Sequence, residues 1–464
     1  MYDLVIRNGK LVTEKGVIDA DLAVLGGKIA NIVPRSQAPG TDAVSIGDSA
    51  EKIDAEGKYV LPGGVDVHTH LDMPLRDGLK SADDFVTGTI AAAIGGTTTV
   101  VDYACQEPQG SLKEALNVWK GKAKGACVDY GMHMTIARVD DETLSEMADM
   151  VSQGVTSFKI YLVYDMRLND EEIYTVLERS AHLGTLVTVH CENYGVIRYR
   201  TKKLLAEGKA DPKYHAISRP DRCEGEAVNR VLQIAAMADM APVYIVHNTC
   251  REGVKYIEEA RSMGQPVFAE TCPQYLLLDD SKYELPGFEG AKYVMSPPLR
   301  SKADQEYLWQ AIKNGTIKVI ATDHCPFTFE EKKIGLHNFS AIPNGGTGIE
   351  ERIALMYSEG RKQGLSYTDL SKLTATNPAK LFGMYPRKGT IRIGSDADLV
   401  LYDADRKTTI THDILHENVD YTCYEGVTVD GYPAMTILRG KVIAKDRAFV
   451  GEMGKGQFIR RDLP

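Results

Sequence analysis

The sequence predicts an α/β protein: a (β/α)8 barrel (TIM barrel) with a small β-sandwich built from both chain termini. Three observations predict it. Residues 61–384 alternate short apolar runs with longer amphipathic segments, the rhythm of parallel strands crossed by helices. Residues 1–60 and 385–464 read as β with Gly-rich turns, and "VIRNGKLVTEKG" near the start is echoed by "TILRGKVIAKDR" near the end. Chemistry-bearing residues collect at the C-terminal ends of the central runs, the face on which barrel enzymes assemble their sites.

In order, the first domain segment offers "YDLVIRNGKLV", "ADLAVLGGKIANIV" and "GKYVLPGG", alternating runs separated by turns. Eight barrel strands follow: "GGVDVHTH", "GTTTVVDYA", "DYGMHMTI", "TSFKIYL", "TLVTVHCEN", "APVYIVHN", "PVFAETC" and "IKVIATDH". Segments such as "SADDFVTGTIAAAIGG" and "DEEIYTVLERSAHLG" supply helices between them. No Gly-rich dinucleotide fingerprint follows a strand, which disfavours an open doubly wound sheet. "DADLVLYDAD" and "AMTILRGKVIAKDRAFVGEM" close the terminal β domain, with a tail behind it.

Composition narrows the function. The 464 residues are 43% hydrophobic and 25% charged, with net charge -10 and no basic stripe, so nucleic acid is not expected as a partner. No apolar run has membrane-spanning length and the N-terminus lacks a signal-peptide core, so a cytoplasmic protein without a membrane partner is expected. Eight cysteines without a CxxC pair read as reduced thiols.

The site reads from the strand ends. In an alternating strand His68 and His70 share one face, and Asp66 falls in the same register. A lone strand-end histidine is usually a hydrogen-bonded core residue. His68, His70, His190, His247 and Asp323 at corresponding ends together point to a metal site. Nitrogen and carboxylate donors suit zinc, and also manganese, iron, cobalt or nickel. Lys159 sits between apolar Phe158 and Ile160. A snorkelling surface lysine is the ordinary reading. The alternative is a buried amine whose lowered pKa lets it add carbon dioxide, giving a carbamate able to bridge two cations. Asp66 is then expected to orient an imidazole, and His324, next to Asp323, to point away from the site. His215 reads as a loop or surface residue, and Cys191, Cys272 and Cys325 as small buried packing.

The motifs "GGVDVHTHLDMP", "DDFVTGTIAAAIGGTTTVVD", "SFKIYLVY", "VHCEN", "YHAISRP", "ETCPQYLLL", "SPPLR", "ATDHCPF", "PNGGTGIEER" and "NPAKLFGMYPRKGTIRIGSDADLV" resemble the dihydropyrimidinase and D-hydantoinase branch of the cyclic amidohydrolases, over nearly the whole chain. The resemblance implies two divalent metal ions per subunit. His68, His70 and Asp323 would hold one and His190 and His247 the other, with Lys159 as N6-carboxylysine between them. It implies Asp323 and Tyr164 as catalytic groups, and Tyr164, Thr271, Ser296 and Asn344 around a small cyclic ureide or imide. It also implies a homotetramer, with a dimer the alternative. Substrate choice is expected in the loops Leu71–Lys80, Tyr103–Gly110 and Leu162–Leu168, where Leu71, Met73, Leu75, Leu162 and Val163 suggest an apolar pocket. Dihydroorotase and allantoinase are rival readings; those relatives usually carry an arginine where Asp72 stands here. A non-catalytic scaffold relative is a third, disfavoured because all six ligand positions are intact.

Overall fold

The computed structural model describes residues 1–35, 46–75 and 78–464. Seventeen strands are described. They are β1 (Tyr2–Thr13), β2 (Gly16–Leu25), β3 (Lys28–Pro34), β4 (Ser49–Asp54), β5 (Tyr59–Pro62), β6 (Gly64–Thr69), β7 (Thr97–Cys105), β8 (Asp129–Thr135), β9 (Ser157–Tyr161), β10 (Leu186–His190), β11 (Val243–Ile245), β12 (Val267–Thr271), β13 (Val319–Ile320), β14 (Leu399–Thr409), β15 (Thr428–Leu438), β16 (Lys441–Lys445) and β17 (Ala448–Phe449).

β6 to β13 form one parallel sheet in chain order. It closes just beyond β13, where Asp323 N–H donates to His68 O (2.9 Å) and His70 N–H to His324 O (3.0 Å). Strands buried on both faces explain the near-continuous apolar runs. Helices between them begin and stop on local signals. Asn169 and Glu172 form a capping box at the start of helix Asp170–Leu183, and Gly184 ends it at φ 68°. Ser111 and Glu114 do the same at the start of Leu112–Lys122.

The chain ends build the second sheet, as expected. Its order is β17-β16-β15-β14-β5-β1-β2-β3, with β4 paired to β1. The two echoing stretches thus lie in one mixed sheet. Lys388, 1% exposed, joins the sheet to the barrel, its ammonium held by Asp129 (2.6 Å), Asp398 (2.6 Å) and Asp396 (3.0 Å). The tail returns to the N-terminal ends of the barrel strands. Tyr130 N–H donates to Gln457 O (2.9 Å), Ile459 N–H to Tyr130 O (2.7 Å) and Arg461 N–H to Gly154 O (2.9 Å).

One local feature corrects the register expected for β6. The pairing Asp66↔Val100 is followed by Thr69↔Asp102, so Val67 and His68 together oppose Val101: a β-bulge. The bulge puts His68 on the side that Val65 and Val67 share, while Asp66 turns away. Val65 and Val67 pack with Val101 and Tyr244. Asp66 instead accepts from the backbone N–H of His68 and Thr322 (both 3.2 Å) and from the Thr322 hydroxyl (2.7 Å). It orients no imidazole; it fastens the first strand to the last.

Candidate active site

His68 and His70 at the end of β6, Lys159 in β9, His190 at the end of β10, His247 just past β11 and Asp323 just past β13 converge at one mouth of the barrel. Asp323 Oδ1 lies 3.1 Å from His68 Nε2 and 3.2 Å from His70 Nε2. His190 Nδ1 lies 3.0 Å from His247 Nε2. The His68 and His247 rings stand 5.3 Å apart, so the two groups are neighbours. All six residues are buried or nearly so; Asp323, the most open, has a side chain 14% exposed.

Two of these six residues, and Tyr164 beside them, sit on strained backbone. His247 (φ 37°), Asp323 (φ 54°) and Tyr164 (φ 68°) occupy the left-handed region, rare for such side chains and costing about 1–3 kcal/mol each. Strands that ended with ordinary φ would carry the next side chain outward. The left-handed step aims these three into the mouth.

Electrostatics set the donors apart. Lys159 is 0% exposed and its Nζ has no hydrogen-bond partner among the described residues. Burial draws its pKa down to about 8, against the pull of Glu270 and Asp323. Burial likewise draws His70 down to about 4 and His247 well below the ordinary range. His68 goes the other way: burial opposes its charge, but Glu270 and Asp323 outweigh burial and lift it to about 9. Burial would raise Asp323, yet the facing histidines hold its carboxyl well below the ordinary range. A fully buried amine without an acceptor among the described residues, imidazoles at His70, His190 and His247 that burial keeps neutral, and an ionised carboxylate make a donor set that fits divalent cations, and a cation at His68 Nε2 would take the place of the proton that Glu270 and Asp323 favour there.

A ring of carboxylates and one arginine supports the histidines, and most of it was not anticipated. Glu270, at the inward-facing end of β12, accepts from His68 Nδ1, from His247 N–H (3.1 Å) and from the Tyr244 hydroxyl (2.7 Å). It therefore does for His68 what Asp66 was expected to do. Glu192 accepts from His190 Nε2 (2.8 Å) and pairs with Arg219 (2.7 Å), which frees His190 Nδ1 to face His247. The signal for Glu192 was present: two residues after His190, it shares that histidine's face. Tyr103 stacks on His70 (5.0 Å between centroids) and His133 (4.6 Å) and underlies Lys159 Nζ (4.8 Å).

The remaining predicted residues divide. Tyr164 lies beside the metal-type donors, its ring 5.4 Å from His190. Burial pushes its phenol up to about 12, partly offset by Arg219 over the ring at 5.7 Å, so it is a protonated donor at neutral pH. Ser296 and Asn344 meet, the Ser296 hydroxyl 3.4 Å from Asn344 Oδ1. Thr271 is committed locally, its hydroxyl donating to Asn248 O (2.7 Å) and its carbonyl accepting from Ala321 N–H (3.1 Å). Leu71, Leu162 and Val163 are buried in packed clusters; Met73 and Leu75 stay partly exposed. Arg76 and Asp77 of the first expected loop lie outside the described residues. Asp72 is paired with Lys80 of its own loop (2.9 Å) and with Lys122 at the end of helix Leu112–Lys122 (3.5 Å). His324 points away, as expected, to Asp83 (2.9 Å). His215 differs from expectation: it is 3% exposed and donates through Nε2 to Met295 O (2.9 Å). Cys191, Cys272 and Cys325 are buried, with thiols pushed up by burial.

Among the described residues a second acidic group, Asp129, Asp396 and Asp398, has metal-like spacing, but the Lys388 ammonium already occupies its centre. No described helix is long and apolar enough to cross a membrane.

Comparison with known proteins agrees with this geometry. Residues 59–443 match the model of the amidohydrolase family. The chain is 45% identical over 462 residues to a D-hydantoinase of Geobacillus stearothermophilus, covering 98% of this chain and 96% of that one. It is 44% identical over 464 residues to a D-hydantoinase of Rhizobium radiobacter, covering 99% of each. The crystal structure of a dihydropyrimidinase from Brevibacillus agri superposes with a TM-score of 0.95 at 44% identity, covering 100% of this chain and 99% of that one. The chain belongs to the amidohydrolase family, and within it to the group that the hydantoinases and dihydropyrimidinases form.

Proposed function

We propose that this protein is a binuclear metal-dependent cyclic amidohydrolase that opens 5-substituted hydantoins and dihydropyrimidines to N-carbamoyl amino acids. The observation that carries the reading is Lys159, a wholly buried amine without a hydrogen-bond acceptor, set among four histidines and Asp323. Full-length relatives named for hydantoin and dihydropyrimidine hydrolysis support the choice of substrate.

His68, His70 and Asp323 would hold one divalent ion, and His190 and His247 the other, zinc being the best match to these donors. Lys159, neutral for part of the time because burial lowers its pKa, would add carbon dioxide at Nζ, release a proton and so bridge the pair as a carbamate. Bound there, the ions supply an acidified water and a polarised ring carbonyl. Asp323 would take the water proton and return it to the departing ring nitrogen. Tyr164 would donate a phenolic hydrogen bond to the oxygen that becomes negative as the carbonyl turns tetrahedral. Ser296, Asn344 and Thr271 would hold the ring, largely through backbone groups. A cytoplasmic homotetramer is part of the proposal.

A neutral ring is favoured over dihydroorotate because no arginine stands at position 72; Asp72 itself is neutralised by Lys80 and Lys122. The test is an ultraviolet ring-opening assay with the metal-loaded protein on dihydrouracil, each enantiomer of phenylhydantoin, allantoin and dihydroorotate. Turnover of the first two classes is expected. Faster hydrolysis of allantoin or dihydroorotate would overturn the assignment.

A further inference from the structure

Lys332 ends the short helix Phe329–Lys332, inside the charged run "FEEKK". Such a run normally lies in water. Instead Lys332 is 0% exposed. No carboxylate among the described residues forms an ion pair with it. Its ammonium donates to three backbone carbonyls: Val294 O (2.8 Å), Pro343 O (2.8 Å) and Gly345 O (2.7 Å). Three N–H groups meet three acceptors, so the ammonium is saturated. Burial draws the amine down to about 7, weakly opposed by Cys423 and Cys325, while hydrogen bonds to three carbonyl oxygens favour its protonated form.

The identity of the acceptors gives the lysine a specific task. Val294 stands two residues before Ser296, and Pro343 and Gly345 flank Asn344. The two loops otherwise meet through Gly345 N–H to Val294 O (3.1 Å) and the 3.4 Å contact between Ser296 and Asn344. The second loop also abuts the end of the last barrel strand, where Cys325 N–H donates to Gly346 O (3.1 Å). A Cβ on Gly345, at φ 152°, would lie 2.0 Å from Cys325 O, so no side chain could take over the spacing. An ammonium on the Pro343 carbonyl also polarises that peptide unit, whose N–H belongs to Asn344, and makes it a stronger donor.

We propose that Lys332 is a positioning residue that straps the Ser296 and Asn344 loops into one substrate-binding rim and strengthens the Asn344 N–H toward a ring carbonyl. The proposal rests on the reading that these loops hold the ring. Lys332→Met keeps an unbranched apolar stem only one atom shorter and removes all three donors. In the metal-loaded variant KM for the better of dihydrouracil and hydantoin should rise about tenfold or more, with kcat within about threefold and metal content unchanged. In the unliganded protein, hydrogen exchange should quicken in peptides spanning 293–297 and 343–347 and not elsewhere.

Unchanged exchange in those two segments overturns the strap. Faster exchange there with an unchanged KM keeps the strap but overturns the substrate role of the loops. Exchange that quickens throughout, with kcat and metal lost together, shows that the lysine serves the fold generally and overturns the proposal. Lys332→Arg, which keeps the charge but offers a planar fork, should show a smaller, KM-selective loss. It replaces the methionine variant if that protein does not fold, and wild-type KM in it overturns the proposal. A wild-type protein inactive on every ring would sink the proposed function, while the exchange comparison would still judge the strap.

Discussion

Replacing Glu270 by glutamine separates the charge of this carboxylate from its shape. Glu270 is fully buried and serves three donors: His68 Nδ1 and His247 N–H on one oxygen, the Tyr244 hydroxyl on the other. A glutamine can keep its carbonyl toward the first two and turn its amide toward Tyr244, whose hydroxyl can accept as well as donate. Packing and hydrogen-bond count then survive, and only the negative charge is lost. That charge is one of the two that lift His68 to about 9, which means that the same field favours a cation at His68 Nε2. Removing a partner of this kind costs about 10–100-fold in metal affinity, equivalent to about 1.4–2.7 kcal/mol. The assay is a chelator titration of the metal-loaded protein, with the melting temperature of the metal-free form as control. The chelator midpoint should fall by that factor while the metal-free melting temperature stays near wild type. An unchanged midpoint would refute the role given to Glu270.

Tyr164→Phe deletes only the hydroxyl; kcat should fall about 10²–10³-fold with little change in KM, as expected for a donor used only in the transition state, and a fall in kcat/KM through KM alone would contradict it. Lys388→Met takes the shared cation from three buried carboxylates, leaving Asp129 only Arg439, Asp396 only Arg387 and Lys28, and Asp398 no ion-pair partner among the described residues, and should destabilise the protein by about 3–5 kcal/mol in denaturant unfolding, an effect that a surface ion pair would not give. Acid stability should report Glu192. Burial raises this carboxyl, but Arg219 and His190 outweigh burial and hold it at about 2, below its unfolded value. Its contribution, ~3 kcal/mol for that separation, is therefore complete above about pH 4.5 and is lost as pH falls toward 2. Glu192→Gln should flatten the acid limb of the stability curve in that window; a limb unchanged from wild type would contradict the assignment.

Five of the six residues at the barrel mouth were legible because each stands at the end of a short apolar run, and barrel geometry brings such ends together whatever the loops do. Lys159 stood out for a related reason, since a lysine between Phe158 and Ile160 has no water to reach. Other features depend on pairing between distant segments. The bulge at Val67 and His68 exists only against Val101 of the neighbouring strand, so strict alternation misassigned Asp66. Glu270 carries the same strand-end signal as the histidines, but a single glutamate in "FAETC" reads as ordinary until His68 is opposite it. Lys332 was hidden by its charged neighbours, because burial of one residue in such a run is decided by the loops that close over it. Leu71 and Leu162, expected at the pocket by position, are buried in the main apolar cluster, Leu71 lying against Gly88 of the helix behind its loop.

The metal content of the protein purified with zinc and bicarbonate, measured beside that of Lys159→Ala, tests the binuclear site most directly. Wild type should carry about two ions per chain and the variant clearly fewer, the shared ligand having been removed. A wild-type chain that binds no metal under these conditions, or a variant that holds two ions as tightly as wild type, would contradict the central claim.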